Sequence, residues 1–160
     1  MLIRRFHSGD ASALRQVFHS AVHNVASADY SQEQIQAWAP SSVDTALWRQ
    51  HMESLSPFVA IEENEIVGYA DVQKSGYIDH FYVSGYHPRR GIGTLLMRRL
   101  HDEALDLGVT NLTSDVSRTA QPFFARFGFE VVEYKSKAIR GVVVPNALMR
   151  KTLGAGTGSE

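Results

Sequence analysis

The run His87-Pro88-Arg89-Arg90-Gly91-Ile92-Gly93-Thr94-Leu95-Leu96, feeding a segment that reaches Leu107, decides how the rest of the chain is read. Just before it, Tyr77-Ile78-Asp79-His80-Phe81-Tyr82-Val83 has the β-branched and aromatic content of a buried strand. Beyond it, Ile92, Leu95, Leu96, Leu100, Ala104 and Leu107 recur at helical spacing, with Arg98, Arg99, Asp102, Glu103 and Asp106 off that stripe. The order is therefore strand, glycine-rich turn, helix. Gly91 and Gly93 permit a tight turn and close approach by a ligand. The free N–H groups of the first helical turn, with a macrodipole equal to about +0.5 charge, point at whatever occupies that turn. With Arg89 and Arg90 beside them, these groups form a seat for a phosphate or pyrophosphate. The competing reading is a turn that serves packing alone, with the two arginines as solvated surface.

Two common phosphate loops do not fit. A Walker loop needs a lysine and a hydroxyl after its second glycine, where this chain has Thr94 and Leu95. A dinucleotide fingerprint needs a third glycine, and Leu96 stands in that place.

The strand ending at Val83, followed by Arg89-Arg90-Gly91-Ile92-Gly93-Thr94, resembles the acetyl-CoA signature of the GNAT N-acetyltransferase superfamily. The family's first motif position, glutamine or arginine, falls on Pro88, a departure; Gly91 and Gly93 match. Gln121-Pro122-Phe123-Phe124-Ala125-Arg126-Phe127-Gly128-Phe129 is similar to the second signature, a short helix closed by Gly-Phe. With Tyr30-Ser31, Gln34-Ile35 and Ala37-Trp38 upstream, the chain resembles the YafP-like branch of bacterial acetyltransferases. The resemblance implies an α/β (α+β) fold, a mixed sheet flanked by helices in the order β-α-α-β-β-β-α-β-α-β-β, with strands four and five splayed. It spans residues 1–152 as one domain, leaving 153–160 as a flexible tail.

Composition is consistent with this. A chain of 160 residues is long enough to bury one core, and 44% hydrophobic with 21% charged residues is ordinary for a globular protein. A formal charge of −1 gives no argument for nucleic acid or a membrane surface. With no cysteine there is no disulfide, thiolate metal site or cysteine nucleophile. No apolar run is long enough to span a bilayer, and the N-terminus lacks a signal-peptide pattern, so a cytoplasmic location is expected.

Local signals fill in the remaining elements. Residues 2–6 read as a strand, and Asp10 as cap of a helix whose apolar face is Leu14, Val17, Phe18, Ala21, Val22 and Val25. His19 and His23 lie off that stripe and read as a solvated face rather than a metal pair. Ser31 and Gln34 form a capping box, and Pro40 stops that short helix. Another helix is expected over 43–55, capped by Ser41 or Ser42. Strands follow at 57–62 and 65–72, joined at Glu63-Asn64, with a turn at Ser75-Gly76 before the strand at 77–83. Gly108 caps the long helix, and 109–116 reads as a strand parallel to 77–83 through a right-handed crossover. Pro122 opens and Gly128 closes a short helix, and 129–139 and 142–149 form a last strand pair.

For the chemistry, the resemblance implies acetyl-CoA as co-substrate and no metal. Arg89, Arg90, Gly91, Ile92, Gly93 and Thr94 would hold the pyrophosphate, and Phe81, Tyr82 and Val83 would pair with the pantetheine arm through their backbones. Ser117 and Phe124 would lie near the coenzyme sulfur. An amine acceptor, small molecule or peptide, would attack the thioester directly; a homodimer stays open, and neither nucleic acid nor membrane is expected. Asp79 is the leading base, with His80 and Glu33 as rivals, and a β-bulge would leave unsettled which of Asp79 and His80 faces the pocket. The family's proton-donating tyrosine falls on Phe124, so Tyr82, Tyr134 or water would protonate the thiolate. Tyr30, Glu33 and Trp38 would border the acceptor. A non-catalytic acyl-CoA-binding module is the alternative, and a nucleotide-binding α/β domain the third reading.

Overall fold

The computed structural model describes residues 1–87 and 91–154; Pro88, Arg89, Arg90 and residues 155–160 lie outside the described residues. Strand β1 (Leu2–Arg5) leads into three helices, α1 (Ala11–Asn24), α2 (Gln32–Trp38) and α3 (Thr45–Leu55). Strands β2 (Phe58–Glu62), β3 (Glu65–Ala70), β4 (Tyr77–Ile78) and β5 (Phe81–Val83) precede α4 (Ile92–Leu107). The chain then forms β6 (Asn111–Ser117), α5 (Gln121–Arg126), β7 (Glu130–Ile139) and β8 (Val142–Thr152).

The strand expected over 77–83 is broken at Asp79–His80, and its two halves join different sheets. β5 is the edge of the antiparallel order β1-β2-β3-β5, while β4 is the edge of the order β4-β6-β8-β7. β4 pairs parallel with β6 only through Tyr77↔Thr113 and Ile78↔Ser114. The Ser114 hydroxyl ties off the last rung by donating to the Ile78 carbonyl at 2.8 Å. Past that rung β5 pairs with β3, while β6 continues along β8 with no partner on its other side among the described residues, so the sheet opens into the expected splay.

Two cores flank this split sheet. On one side Ile92, Leu96, Met97, Leu100 and Ala104 of α4 pack with Ile78, Leu112, Phe124 and Phe129. On the other, Leu14, Phe18 and Val22 of α1 pack with Ile35, Met52, Val59 and Tyr69. Gly68 on β3 lets α4 sit close, because a Cβ there would meet Ile92 Cγ2 at 2.9 Å.

Most local signals hold. Ser31 and Gln34 make the capping box, Gly108 ends α4 in the left-handed region, and Gly128 does the same after α5. Two caps differ. α3 is capped by Asp44, whose carboxylate accepts from the N–H groups of Ala46 and Leu47, so Ser41 and Ser42 lie before the helix. Asp10 stands at the start of α1 but puts its carboxylate on the Arg4 guanidinium and the His7 N–H, because an ion pair outweighs a cap. His19 and His23 stack at 3.9 Å, and His23 Nε2 bonds the Ala39 carbonyl at 2.7 Å, so the pair is packed against the end of α2 rather than left to solvent. β8 runs three residues further than expected, to Thr152, and the Leu153 N–H is bonded to Thr110, so the first tail residue is tied down.

Candidate active site

Asp71, just past β3, is 1% exposed and is the reason β4 and β5 part. Its Oδ1 accepts the backbone N–H groups of Asp79 at 3.1 Å and His80 at 2.6 Å, and Gln73 donates to Oδ2 at 2.6 Å. The Asp71 N–H in turn donates to the His80 carbonyl. A side chain thus takes the bonds a neighbouring strand would have supplied, which is how a bulge persists in a buried sheet. Burial pushes the Asp71 carboxyl up to about 6, and the bonds from His80 and Gln73 hold it from rising further.

The bulge cancels strand alternation, and the side chains of both Asp79 and His80 line one cavity of about 880 Å³. Asp79 Oδ2 lies 3.5 Å from Nε2 of His51 on α3. His80 Nδ1 is hydrogen-bonded to the Tyr69 hydroxyl at 2.9 Å, and its ring sits among Phe18, Trp48, His51 and Tyr82. Burial lowers the His80 imidazole to about 4, with the nearby Asp79 carboxylate opposing that shift, so the ring is neutral near neutral pH. Ligand atoms of His51, Asp79 and His80 lie within 4.8 Å of one another.

A second cavity, of about 690 Å³, follows β5 to the first turn of α4 and is lined by Val83, Gly91, Ile92, Gly93 and Thr94 among others. Gly91 caps α4 with φ 75°, and no side chain among the described residues makes a cap hydrogen bond at that end, where the first-turn N–H groups have no intrahelical partner. The loop leading there is pinned from α1, where the Gly85 N–H donates to the Ser20 hydroxyl at 2.9 Å. Arg89 and Arg90, expected at the same pyrophosphate seat, lie outside the described residues.

The two cavities share six wall residues: Trp38, Phe81, Tyr82, Ser117, Ala120 and Phe124. They meet where β5 and β6 have separated. Burial raises the Tyr82 phenol, which therefore keeps its proton. Ser117 Oγ accepts the Ala120 N–H at 3.2 Å and so caps the turn into α5 while still lining the junction. Phe124 packs on Phe81, Phe123 and Phe129, with ring centroids 5.6, 6.0 and 5.0 Å away.

The expected acceptor residues separate. Trp38 is at the junction and stacks edge-on against Tyr30 at 5.4 Å. Tyr30 lines the larger cavity, but its hydroxyl is committed to backbone, donating to Pro145 and accepting from Arg118. Glu33 sits on the exposed face of α2 and lines neither cavity. Tyr134 is 75% exposed and also lies away from both.

β5, the Gly91 turn and α4 stand in the strand–glycine–helix order of the signature read in the sequence. A sequence model of the acetyltransferase (GNAT) domain family matches residues 26–152. The chain is 34% identical over 148 residues to the uncharacterized N-acetyltransferase YafP of Escherichia coli, covering 92% of this chain and 93% of that one. The chain belongs to the GNAT acetyltransferase family. Its fold agrees closely with a crystal structure of a GCN5-related N-acetyltransferase from Rhodopseudomonas palustris, with TM-score 0.91, 29% identity and 95% of each chain covered. The GNAT fold is also shared with yncA, a putative acetyltransferase of Salmonella typhimurium solved with acetyl-CoA, at TM-score 0.68, 22% identity and coverage of 96% and 94%. As a GNAT protein, this chain is an N-acetyltransferase.

Four positions that support or line the candidate site escape a reading of the sequence. Asp71, His51 and Ser20 act on residues 8 or more positions away in the chain. Asn146 is the fourth, because it lines the larger cavity opposite Ser117 and its buried Oδ1 has no hydrogen-bond partner among the described residues.

Proposed function

We propose that this protein binds acetyl-CoA in the cleft along β5 and transfers its acetyl group to an amine held in the larger cavity, in one step within a ternary complex. The observation that carries this reading is the junction: two cavities with largely separate walls share Trp38, Phe81, Tyr82, Ser117, Ala120 and Phe124 at the opening of the sheet. A structural relative solved with acetyl-CoA supports the choice of coenzyme.

The fit is made by backbone. The edge of β5 away from β3 offers strand-like donors and acceptors to a pantetheine arm, and the first turn of α4 offers N–H groups and a positive dipole end to a pyrophosphate. When bound, the coenzyme supplies an acetyl thioester. A β5 N–H donates to the thioester oxygen and stabilises negative charge as it gathers there. An ordinary alkylamine, with pKa near ~10.4, must lose a proton before attacking, and Asp79 accepts that proton with neutral His80 beside it. The Tyr82 phenol, kept protonated by burial, lines the junction and is our candidate donor to the departing sulfur.

The experiment is a calorimetric titration with acetyl-CoA, followed by thiol release on adding mixed amines. Submillimolar binding and amine-dependent release are expected. Binding without release would favour a non-catalytic acyl-CoA module, and absence of binding would overturn the assignment of the cleft.

A further inference from the structure

The walls of the larger cavity carry three carboxylates and three cations, and the difference in how the two sets are partnered bears on its occupant. Its carboxylates are taken. Asp44 caps α3, Asp115 accepts from Lys135 and the Tyr77 hydroxyl at 3.1 Å each, and Asp79 faces His51. Its cations are not. Arg15, Lys137 and Arg140 line the same cavity, and among the described residues none of them is paired with a carboxylate.

The two guanidiniums are held in place without being neutralised. Arg15 donates to the Pro40 carbonyl, and Arg140 donates to the Ala37 carbonyl at 2.7 Å, so both gather at the C-terminal end of α2. Arg15 also lies over the Phe18 and Trp48 rings, 5.3 and 5.5 Å from their centroids. Each guanidinium carries five N–H donors in a planar fork, and a backbone carbonyl uses one or two, leaving donors suited to a bidentate oxyanion.

His80 rests against the same two rings, with centroids 5.9 Å from Phe18 and 6.0 Å from Trp48. One aromatic floor therefore joins the amine-reacting corner at Asp79 and His80 to the cationic corner at Arg15 and Arg140. We propose that the acceptor is an amine whose apolar frame also carries a carboxylate, an amino acid in the broad sense, with the carboxylate held by Arg15 and Arg140. This rests on the larger cavity being the acceptor site.

The test uses matched triplets sharing one side chain: a free amino acid, its carboxamide and its decarboxylated amine, beginning with phenylalanine, phenylalaninamide and phenethylamine, and extended to leucine and methionine. Initial rates of thiol release give kcat/KM for each. At least one free acid should exceed both partners by tenfold or more, and Arg140→Gln should shrink that ratio to threefold or less. Arg15→Gln should do the same; Arg140 is exposed, so the test stands even where the Arg15 variant does not fold. A preference for the carboxamide or bare amine in every triplet, or an acid preference that survives both substitutions, would overturn the proposal. If nothing turns over although acetyl-CoA binds, the transfer reading fails separately. Calorimetric titration of the same triplets into the protein–CoA complex then still reads the carboxylate preference.

Discussion

Asp71 and His80 grip each other twice: Asp71 Oδ1 accepts the His80 N–H at 2.6 Å, and the Asp71 N–H donates to the His80 carbonyl at 3.1 Å. That exchange fixes the bulge and with it the direction of both candidate proton acceptors. Asp71→Ala leaves the N–H groups of Asp79 and His80 without their acceptor, at about 1–3 kcal/mol for each buried donor. Turnover is expected to fall at least tenfold while acetyl-CoA affinity holds. Asp71→Asn keeps an oxygen at the same point and should recover most of both losses. An asparagine variant as impaired as alanine, in urea melts and in thiol release, would show that the bulge does not depend on this oxygen.

The same pair sets opposing pH terms. Asp71 is raised from 3.8 to about 6 by burial, so between those values the folded state holds a proton that the unfolded chain does not. Stability from this group falls as pH rises through that window. His80 is lowered from 6.5 to about 4 by burial, so there the unfolded chain holds the extra proton, and stability rises with pH. The two terms largely offset in the wild type. Relative to it, Asp71→Asn should lose stability on going from pH 6 to pH 4, and His80→Gln should gain it. Urea midpoints across that range measure both, and differences that do not change with pH would refute the assignment.

Asp79→Asn should lower turnover by about 10²-fold if this carboxylate is the proton acceptor, with little change in coenzyme affinity. The deficit should narrow at high pH, where the acceptor amine deprotonates unaided. A deficit constant in pH would move the role to His80, whose ring lines the same cavity.

The two glycines of the loop make separable demands. A Cβ on Gly93 would meet the Phe123 ring at 3.1 and 3.2 Å, whereas one on Gly91 meets nothing within 4 Å but is strained by φ 75°. Gly93→Val should therefore weaken acetyl-CoA binding at least tenfold by crowding the mouth of the cleft. Gly91→Ala should cost about 1–2 kcal/mol of stability through its left-handed backbone. Calorimetry beside thermal melts separates the two effects, and unchanged binding in a folded Gly93 variant would remove this loop from the coenzyme site.

What could be read from the sequence was local. The Ser31–Gln34 capping box, the left-handed Gly108 and Gly128, and the strand–glycine–helix order each depend on residues within a few positions of one another. The bulge was not legible, because its cause, Asp71, sits in another segment and leaves the alternation of residues 77–83 unmarked. His51 likewise reaches Asp79 from α3, and the Ser20 hydroxyl holds Gly85 from α1. Glu33 was a reasonable candidate by chemistry, yet the turn of α2 that buries Ile35 and Ala37 leaves it on the outer face. Tertiary pairing decides such cases, and no pattern along one segment encodes it.

Phe124 stands where the family signature leads one to expect a tyrosine, and the structure explains what its ring does instead. It is 2% exposed, packed against Phe81 and Phe129, and lines both cavities at their junction. Phe124→Ala should cost about 3–5 kcal/mol, since it removes a buried ring from the α4–α5 core. Phe124→Tyr adds a hydroxyl near the departing thiolate, whose unperturbed thiol pKa is about 8.5. Such a thiolate is only a moderately poor leaving group at neutral pH, and the protonated Tyr82 phenol already lines the same junction. Turnover of the tyrosine variant should therefore stay within about threefold of wild type, under ~1 kcal/mol of barrier. A gain of tenfold or more, measured by thiol release under saturating acetyl-CoA, would show that proton donation limits the reaction and that Tyr82 does not supply it.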